Sequence, residues 1–142
     1  MSFLLDTNVV SEIVNPRPNA GLLAWLAEAD EDQTYVSVIT LLELRYGVER
    51  MAFGRQRKRL EEWLDNDLPM RFESRILAVD ARVADACGRL VARSESQGHP
   101  LETRDALIAA TAEGHGLTLV TRNVSDFKPV VKNLLSPWSA AD

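Results

Sequence analysis

The sequence has little cysteine and little histidine: Cys87 is its only thiol, and there are two histidines among 142 residues. A single cysteine excludes an intramolecular disulfide framework and the cysteine-rich ligand set of a structural zinc site. Apolar runs are short, far below the ~20 residues of a membrane-spanning helix, and no basic region precedes the first of them. We therefore expect a protein without a membrane span or an export signal, located in the reducing cytoplasm.

Positive charge is also in deficit, because 16 Lys and Arg stand against 21 Asp and Glu, for a net charge of −5. Such a balance disfavours binding of a polyanion through the field of the whole molecule. Residues 45–59 are the exception, with six basic side chains and one acid, Glu49. A run of charges is usually the solvated face of a helix, so we interpret it in that way first, with phosphate binding as the alternative.

The length is typical of one domain, and no repeat or linker divides the chain, so we expect a single domain over residues 1–142. Apolar and β-branched segments predict four strands and a possible site for a fifth: FLLD, TYVSVI, RILAVD, LTLVT and PVVKNLLSPW. Helical spacing predicts helices in the segments between them, one of which ends at Gly114 or Gly116. Alternating strands and helices indicate an α/β fold with a mostly parallel sheet.

Ligands of such sheets bind beyond the carboxyl ends of the strands. Asp6 directly follows the first predicted strand, and Thr121 and Asn123 follow the fourth. Two further acids, Glu43 and Asp105, lie on helices that we expect to begin near the same edge. The predicted topology therefore brings three carboxylates toward one end of the sheet.

Each of these acids also has a purely structural interpretation. Asp6 is suited to cap a helix, Glu43 follows Thr40 at the spacing of a capping box, and Asp105 falls in a first helical turn. Three carboxylates at one edge would nevertheless repel one another strongly, and a hard divalent cation relieves that repulsion. Taken together, the acids favour a metal site suited to phosphodiester hydrolysis.

Four segments resemble, in order, the motifs of PIN-domain proteins, specifically the VapC-type toxins of bacterial toxin–antitoxin pairs: FLLDTNVVSEI, SVITLLELRYGV, DALIAATAEGHGLTLVTRNVSDF and NLLSPW. The resemblance covers nearly the whole chain. It implies a three-layer α/β/α fold with a short, mostly parallel sheet, and an endoribonuclease that depends on Mg²⁺, with Mn²⁺ as the alternative ion. It also implies that Asp6, Glu43 and Asp105 are the metal ligands.

The resemblance assigns roles to neighbouring residues as well. Asn123 takes the place of a fourth acid that many family members have, and it is counted with the catalytic residues although it adds no charge. Asp126, the other acid nearby, is interpreted as a residue of the turn. Thr7, Asn8 and Thr121 are expected to orient the carboxylates. The candidate RNA contacts are Arg50, Arg104 and Arg122.

Proteins of this type form homodimers and are inhibited by a small antitoxin, VapB. The resemblance therefore implies an antitoxin partner, in a heterotetramer or hetero-octamer, and an RNA substrate that is a tRNA, an rRNA or an mRNA. An antitoxin arginine is suited to pair with the acids. The chain itself shows no DNA-reading motif.

A non-catalytic PIN-fold binding module is the alternative, because Asn123 lowers the charge of the site. An aspartyl-phosphate phosphatase is disfavoured, since it would have a second Asp where this chain has Asn8. His99 and His115 are assigned to a loop and a helix end rather than to acid–base catalysis. The larger aromatic residues are interpreted as core or dimer contacts rather than base-stacking surfaces: Trp25, Trp63, Tyr46 and Phe53.

Overall fold

A computed structural model describes residues 1–139 and contains a five-stranded sheet. The strands are β1 (Phe3–Leu5), β2 (Thr34–Ser37), β3 (Ile76–Leu77), β4 (Thr118–Val120) and β5 (Leu134–Leu135). Their order is β3-β2-β1-β4-β5, and all neighbours pair in parallel. Phe3 at the start of β1 is opposite Thr34 on one side and Thr118 on the other. The first strand of the chain is thus the central one, and residues after it lie between the ends of β2 and β4.

Helices connect these strands. They are α1 (Thr7–Ile13), α2 (Ala20–Glu28), α3 (Val38–Glu49), α4 (Arg55–Glu62), α5 (Leu68–Arg71), α6 (Ala81–Ser96), α7 (Thr103–Gly114) and α8 (Val124–Phe127). A 3₁₀ turn (Glu31–Gln33) precedes β2, and a π-helical stretch (Trp63–Asp67) joins α4 to α5. Gly116, with a φ of 66°, follows α7, so the predicted glycine end of this helix is confirmed. No helix within residues 1–139 has the length and apolar character needed to cross a bilayer.

Two predicted strands are longer than the strands of the structure. The segment RILAVD predicts a strand through residue 80, but β3 covers only Ile76–Leu77 and Asp80 caps α6. The β-branched segment TYVSVI predicts a strand through residue 39, but β2 ends at Ser37 and α3 begins at Val38. The Ser37 hydroxyl caps α3 by accepting a hydrogen bond from the Ile39 amide at 3.0 Å. Val38 and Ile39 fit a buried first helical turn as well as a strand, so the apolar pattern alone does not locate the boundary.

Two hydrophobic clusters lie on opposite faces of the sheet, as the alternation of side chains along β1 and β4 requires. Leu4 and Leu119 pack with α6 and α7, whereas Leu5 and Val120 pack with α1, α2 and α3. The predicted three-layer α/β/α arrangement is therefore confirmed. Trp25 and Trp63 pack against the second cluster, as predicted.

Tyr46 and Phe53 do not belong to the core, so that part of their interpretation is wrong. Tyr46 is 52% exposed and Phe53 is 89% exposed. Phe53 instead lies under the guanidinium group of Arg57, 4.2 Å from its ring centre. His99 lies exposed in a loop and His115 at the end of α7, as predicted.

Arg57, within the basic segment, has a structural role. It is only 9% exposed and donates to the Met51 carbonyl at 3.0 Å, just beyond the end of α3. The same guanidinium pairs with Glu61 at 3.0 Å and with Glu49 at 3.2 Å. Arg57 therefore ties α4 to the end of α3 rather than offering its charge to a ligand.

The segment after β5 packs over the start of α2. Asn19 caps α2 by accepting from the Leu22 amide at 3.1 Å, and it also accepts from the Ser139 amide at 3.0 Å. A Cβ atom at Gly21 would overlap the carbonyl oxygen of Pro137 and the amide nitrogen of Ser139. Only glycine lets these two backbones approach so closely.

Candidate active site

Asp6 is the most firmly held of the predicted acids. It directly follows β1, caps α1 and is 4% exposed. One carboxylate oxygen accepts from the Thr7 amide at 2.7 Å, and the other accepts from the Thr121 hydroxyl at 2.8 Å and from the Asn8 side-chain amide at 3.4 Å. Asp6 is therefore a helix cap and a candidate ligand at once, because the capping interaction uses only one of its two oxygens.

A chain of hydroxyl groups reaches Glu43 from α1. The Thr7 hydroxyl donates to Glu43 Oε1 at 2.7 Å and lies 3.0 Å from the Thr40 hydroxyl. Thr7 has one hydroxyl proton, which goes to Glu43, so Thr40 donates to Thr7. The capping-box interpretation of Thr40 is wrong, because Ser37 caps α3 and Thr40 is fully buried within its first turn.

Thr40 is the site residue that sequence reasoning missed. Its one available signal is a polar residue in an otherwise apolar helix start, VITLLE, one turn before Glu43 on the same side of the helix.

Asn8 and Thr121 join the ends of β1 and β4. The Asn8 side chain donates to the Thr121 hydroxyl at 3.3 Å and accepts from the Arg122 amide at 3.2 Å. The Thr121 hydroxyl also accepts from the Asn123 amide at 3.0 Å while it donates to Asp6. These bonds hold Asp6 from both sides, so Asn8 and Thr121 lie where the positioning roles predicted for them require.

Asp105 lies in the first turn of α7, where its negative charge is close to those of the other acids. Burial, followed by the charges of Asp6, Glu102, Glu43 and Asp126, raises the pKa of Asp105 to about 6. Burial also raises the pKa of Asp6, although the hydrogen bonds from Thr121 and Thr7 oppose that rise. The three predicted acids thus share one electrostatic environment at the carboxyl edge of the sheet.

The candidate cations surround this edge. Arg104 precedes Asp105 on α7; its guanidinium pairs with Glu102 at 3.0 Å and lies 3.9 Å from Glu43. Arg122 follows β4 and is exposed, with its guanidinium 5.8 Å from the ring of Trp138. Arg50 ends α3, two turns after Glu43. All three arginines predicted to contact RNA therefore lie around the acidic edge or on the helix that leads from it.

Position 123, where many family members have a fourth acid, is at the rim of the site. Asn123 is exposed at the start of α8, and its side chain does not cap that helix. Asp126 is exposed in the first turn of α8, and its charge contributes to the raised pKa of Asp105. A negative charge thus reaches Asp105 from α8 although position 123 is neutral.

The donor set suits a hard divalent cation. Every candidate ligand is a carboxylate oxygen. Burial and the neighbouring negative charges, which raise the pKa of Asp105, both disfavour its ionised form, and a bound cation would offset them. Across residues 1–139, no three His, Cys, Asp or Glu side chains converge closely enough to ligate one ion directly. Mg²⁺ typically binds through one or two carboxylates and keeps several waters, so the residues present fit this ion.

A groove of about 290 Å³ begins at Thr7 and Glu43 and runs between α1, α3 and α4. Its walls are mainly apolar and include Val14, Leu44, Val48, Met51, Leu60 and Trp63. Gln56 and Arg59 line it as well. An apolar groove that opens onto an acidic edge is suited to a helix or strand that carries a basic side chain.

Residues 3–132 match the family model for the PIN domain. The chain belongs to the PIN-domain family. This PIN domain is 36% identical to toxin FitB of Neisseria gonorrhoeae over 95% of the chain and 97% of that protein. It is 32% identical to VapC ribonuclease Y4jK of Sinorhizobium fredii over 97% of the chain and 99% of the relative. Within the family it is of the VapC type.

Solved structures agree with the fold of this PIN domain. The structure of FitAB bound to an IR36 DNA fragment contains a chain that superposes with a TM-score of 0.90 at 34% identity, covering 96% of each chain. The resemblance inferred from four short motifs is thus confirmed along almost the whole length.

Proposed function

We propose that this PIN domain is a Mg²⁺-dependent endoribonuclease and the toxin of a toxin–antitoxin pair. The observation that carries the proposal is the arrangement of Asp6, a buried carboxylate held by three donors, beside Glu43 and Asp105 at the end of the sheet. Two relatives support the proposal, because one is named a VapC ribonuclease and the other a toxin.

In the proposed mechanism, Asp6, Glu43 and Asp105 would hold the ion between them, partly through its bound waters, with Mn²⁺ as the alternative to Mg²⁺. The bound ion would lower the pKa of a water and neutralise charge on the phosphoryl oxygens. Thr7 and Thr121 donate to Glu43 and Asp6, and so keep their oxygens aimed at the site. Hydrolysis by water leaves 5′-phosphate and 3′-hydroxyl ends and forms no covalent enzyme intermediate.

The RNA would be held by the arginines around the edge. Arg104 precedes Asp105 and Arg122 precedes Asn123, so both can bind the phosphates beside the cleaved bond. The amide oxygen of Asn123 adds an uncharged acceptor at the rim. The substrate class is a tRNA, an rRNA or an mRNA.

A VapB-type antitoxin is the proposed partner, in a heterotetramer or hetero-octamer built on a homodimer. The relative FitB occurs with FitA in a solved complex on DNA. The groove between α1, α3 and α4 is suited to an antitoxin segment because it is mainly apolar and has Glu43 in its lining. An arginine on that segment would pair with the carboxylates and exclude the metal.

The test is cleavage of an RNA mixture by the purified chain in Mg²⁺ or Mn²⁺, with sequencing of the new ends. We expect cleavage by the wild type and a loss of at least a hundredfold in Asp6→Asn. Asp85→Asn is the matched control, because Asp85 lies on α6 in an exposed pair with Arg89 and should leave cleavage unchanged. Cleavage that persists in Asp6→Asn, or 2′,3′-cyclic phosphate products, would contradict the mechanism.

The non-catalytic alternative makes a different prediction. A binding module would retain RNA or protein binding and cleave nothing in either ion, with no difference between the wild type and Asp6→Asn.

A further inference from the structure

An exposed aromatic ring lies one helical turn from Glu43. Tyr46 projects from α3 with 52% of its surface exposed, although α3 otherwise buries Ile39, Thr40 and Val48. Two guanidinium groups lie against its ring, that of Arg50 at 5.1 Å and that of Arg104 at 5.8 Å from the ring centre. About half of the Tyr46 surface is therefore in contact with solvent, beside two positive charges.

The spacing along α3 connects this surface to the acids. Glu43, Tyr46 and Arg50 are at positions i, i+3 and i+7, which lie on one side of a helix. At 1.5 Å per residue, Tyr46 is about 4.5 Å along the helix axis from Glu43. This distance is short enough for a base on Tyr46 to belong to a nucleotide beside the phosphate at the acids.

The charges give this surface a preference for a polyanion. The acidic edge by itself repels phosphates, whereas Arg50 and Arg104 place two cations beside it. Arg104 lies 3.0 Å from Glu102 and 3.9 Å from Glu43, so its guanidinium is at the border of the acidic edge. Arg50 makes its contact with the Tyr46 ring at the carboxyl end of α3, where its side chain is exposed.

We propose that Tyr46 is a stacking platform for an unpaired base of the RNA, next to the cleaved phosphate, with Arg50 and Arg104 holding the phosphates on either side. This inference rests on the proposed nuclease function and narrows its substrate to a single-stranded segment. A base in a duplex has both faces covered, whereas a splayed base exposes a face that an aromatic side chain can stack on.

The test measures binding rather than cleavage, in an Asp6→Asn background, with short single-stranded RNAs that carry one 2-aminopurine at successive positions. Stacking on Tyr46 should quench the fluorescence of 2-aminopurine at one position only. Tyr46→Leu should abolish that quenching and weaken binding about tenfold or more, whereas Tyr46→Phe should stay within about twofold of the parent. Phe53→Leu is the matched control, because Phe53 is another exposed aromatic residue beside an arginine, beyond the end of α3.

Salt dependence tests the arginines separately. Arg50→Gln should reduce the slope of log affinity against log salt by about 0.7, the value for one phosphate contact on a single strand. An unchanged slope would show that Arg50 does not bind phosphate and would overturn that part of the proposal.

Two outcomes overturn the stacking role. Equal affinity and equal quenching in Tyr46→Leu would do so directly. A change of oligomeric state in Tyr46→Leu, measured by light scattering, together with unchanged quenching would assign the ring to a protein interface. Failure of the nuclease proposal looks different, because the wild type would then cleave nothing while quenching still depended on Tyr46.

Discussion

Replacement of Asp105 by asparagine is expected to stabilise the fold while it abolishes cleavage. The pKa of Asp105 is about 6 instead of 3.8, so its charged form costs at most about 3 kcal/mol at pH 7, at ~1.4 kcal/mol for each pKa unit. Because the carboxyl is partly exposed, screening by solvent lowers the expected gain to about 1–2 kcal/mol. For a chain of this size that gain corresponds to a rise in Tm of about 3–6 °C.

The pH dependence follows from the sign of the shift. Since the folded protein binds this proton more tightly than the unfolded chain does, the stability that Asp105 contributes is full below about pH 4 and is lost as the pH rises through about 6. Asp105→Asn removes the titrating group, so its Tm should exceed that of the wild type at pH 7 and match it at pH 4.

The assay is thermal unfolding followed by circular dichroism between pH 4 and pH 8, with Asp85→Asn as the exposed control. Mg²⁺ should raise the Tm of the wild type and have a much smaller effect on Asp105→Asn, because a cation relieves the same repulsion as the substitution. The reasoning is refuted by a Tm difference that is absent at pH 7 or that persists unchanged at pH 4.

Three further predictions concern the frame of the site and its charge. Arg57→Ala should lower the free energy of unfolding by about 2–4 kcal/mol in urea titrations, because it leaves the Met51 carbonyl and Glu49 without their donor, whereas exposed Arg55→Ala should stay within about 0.5 kcal/mol. Gly21→Ala should cost about 1–3 kcal/mol, since its Cβ overlaps the backbone of the last described segment; an unchanged stability would contradict the close approach. Asn123→Asp should tighten Mg²⁺ binding several-fold in titration calorimetry, because it adds a carboxylate at the rim, and equal affinity would place position 123 outside the ion's reach.

Much of the fold follows from short-range patterns in the sequence. FLLD and LTLVT are apolar enough to identify the buried strands β1 and β4, and the polar residues after them had to lie at one edge because parallel strands align their carboxyl ends. The alignment of parallel strands therefore predicts that Asp6 and Thr121 lie close together, although they are near opposite ends of the chain.

Other features depend on packing between helices, which a linear pattern does not encode. Thr40 fits a capping box by its spacing from Glu43. Because β2 ends two residues earlier than predicted, however, Thr40 lies within the first, buried turn of α3. Arg57 looks like its solvated neighbours in GRQRKR, and only the close approach of α4 to the end of α3 makes it a buried partner of backbone carbonyls. Tyr46 is a large aromatic residue of a kind that is often buried. Its exposure follows from the orientation of α3 over the sheet.

The central position of β1 determines when the site can form during synthesis. Asp6 is translated among the first residues, but the Thr121 hydroxyl that orients it comes 115 residues later, and β1 also waits for its neighbour β4. At about 5–20 residues per second, that interval lasts roughly 6–23 s. A ribosome that carries an unfinished chain thus carries no assembled site, and the proposed nuclease can act only after nearly the whole chain has been made.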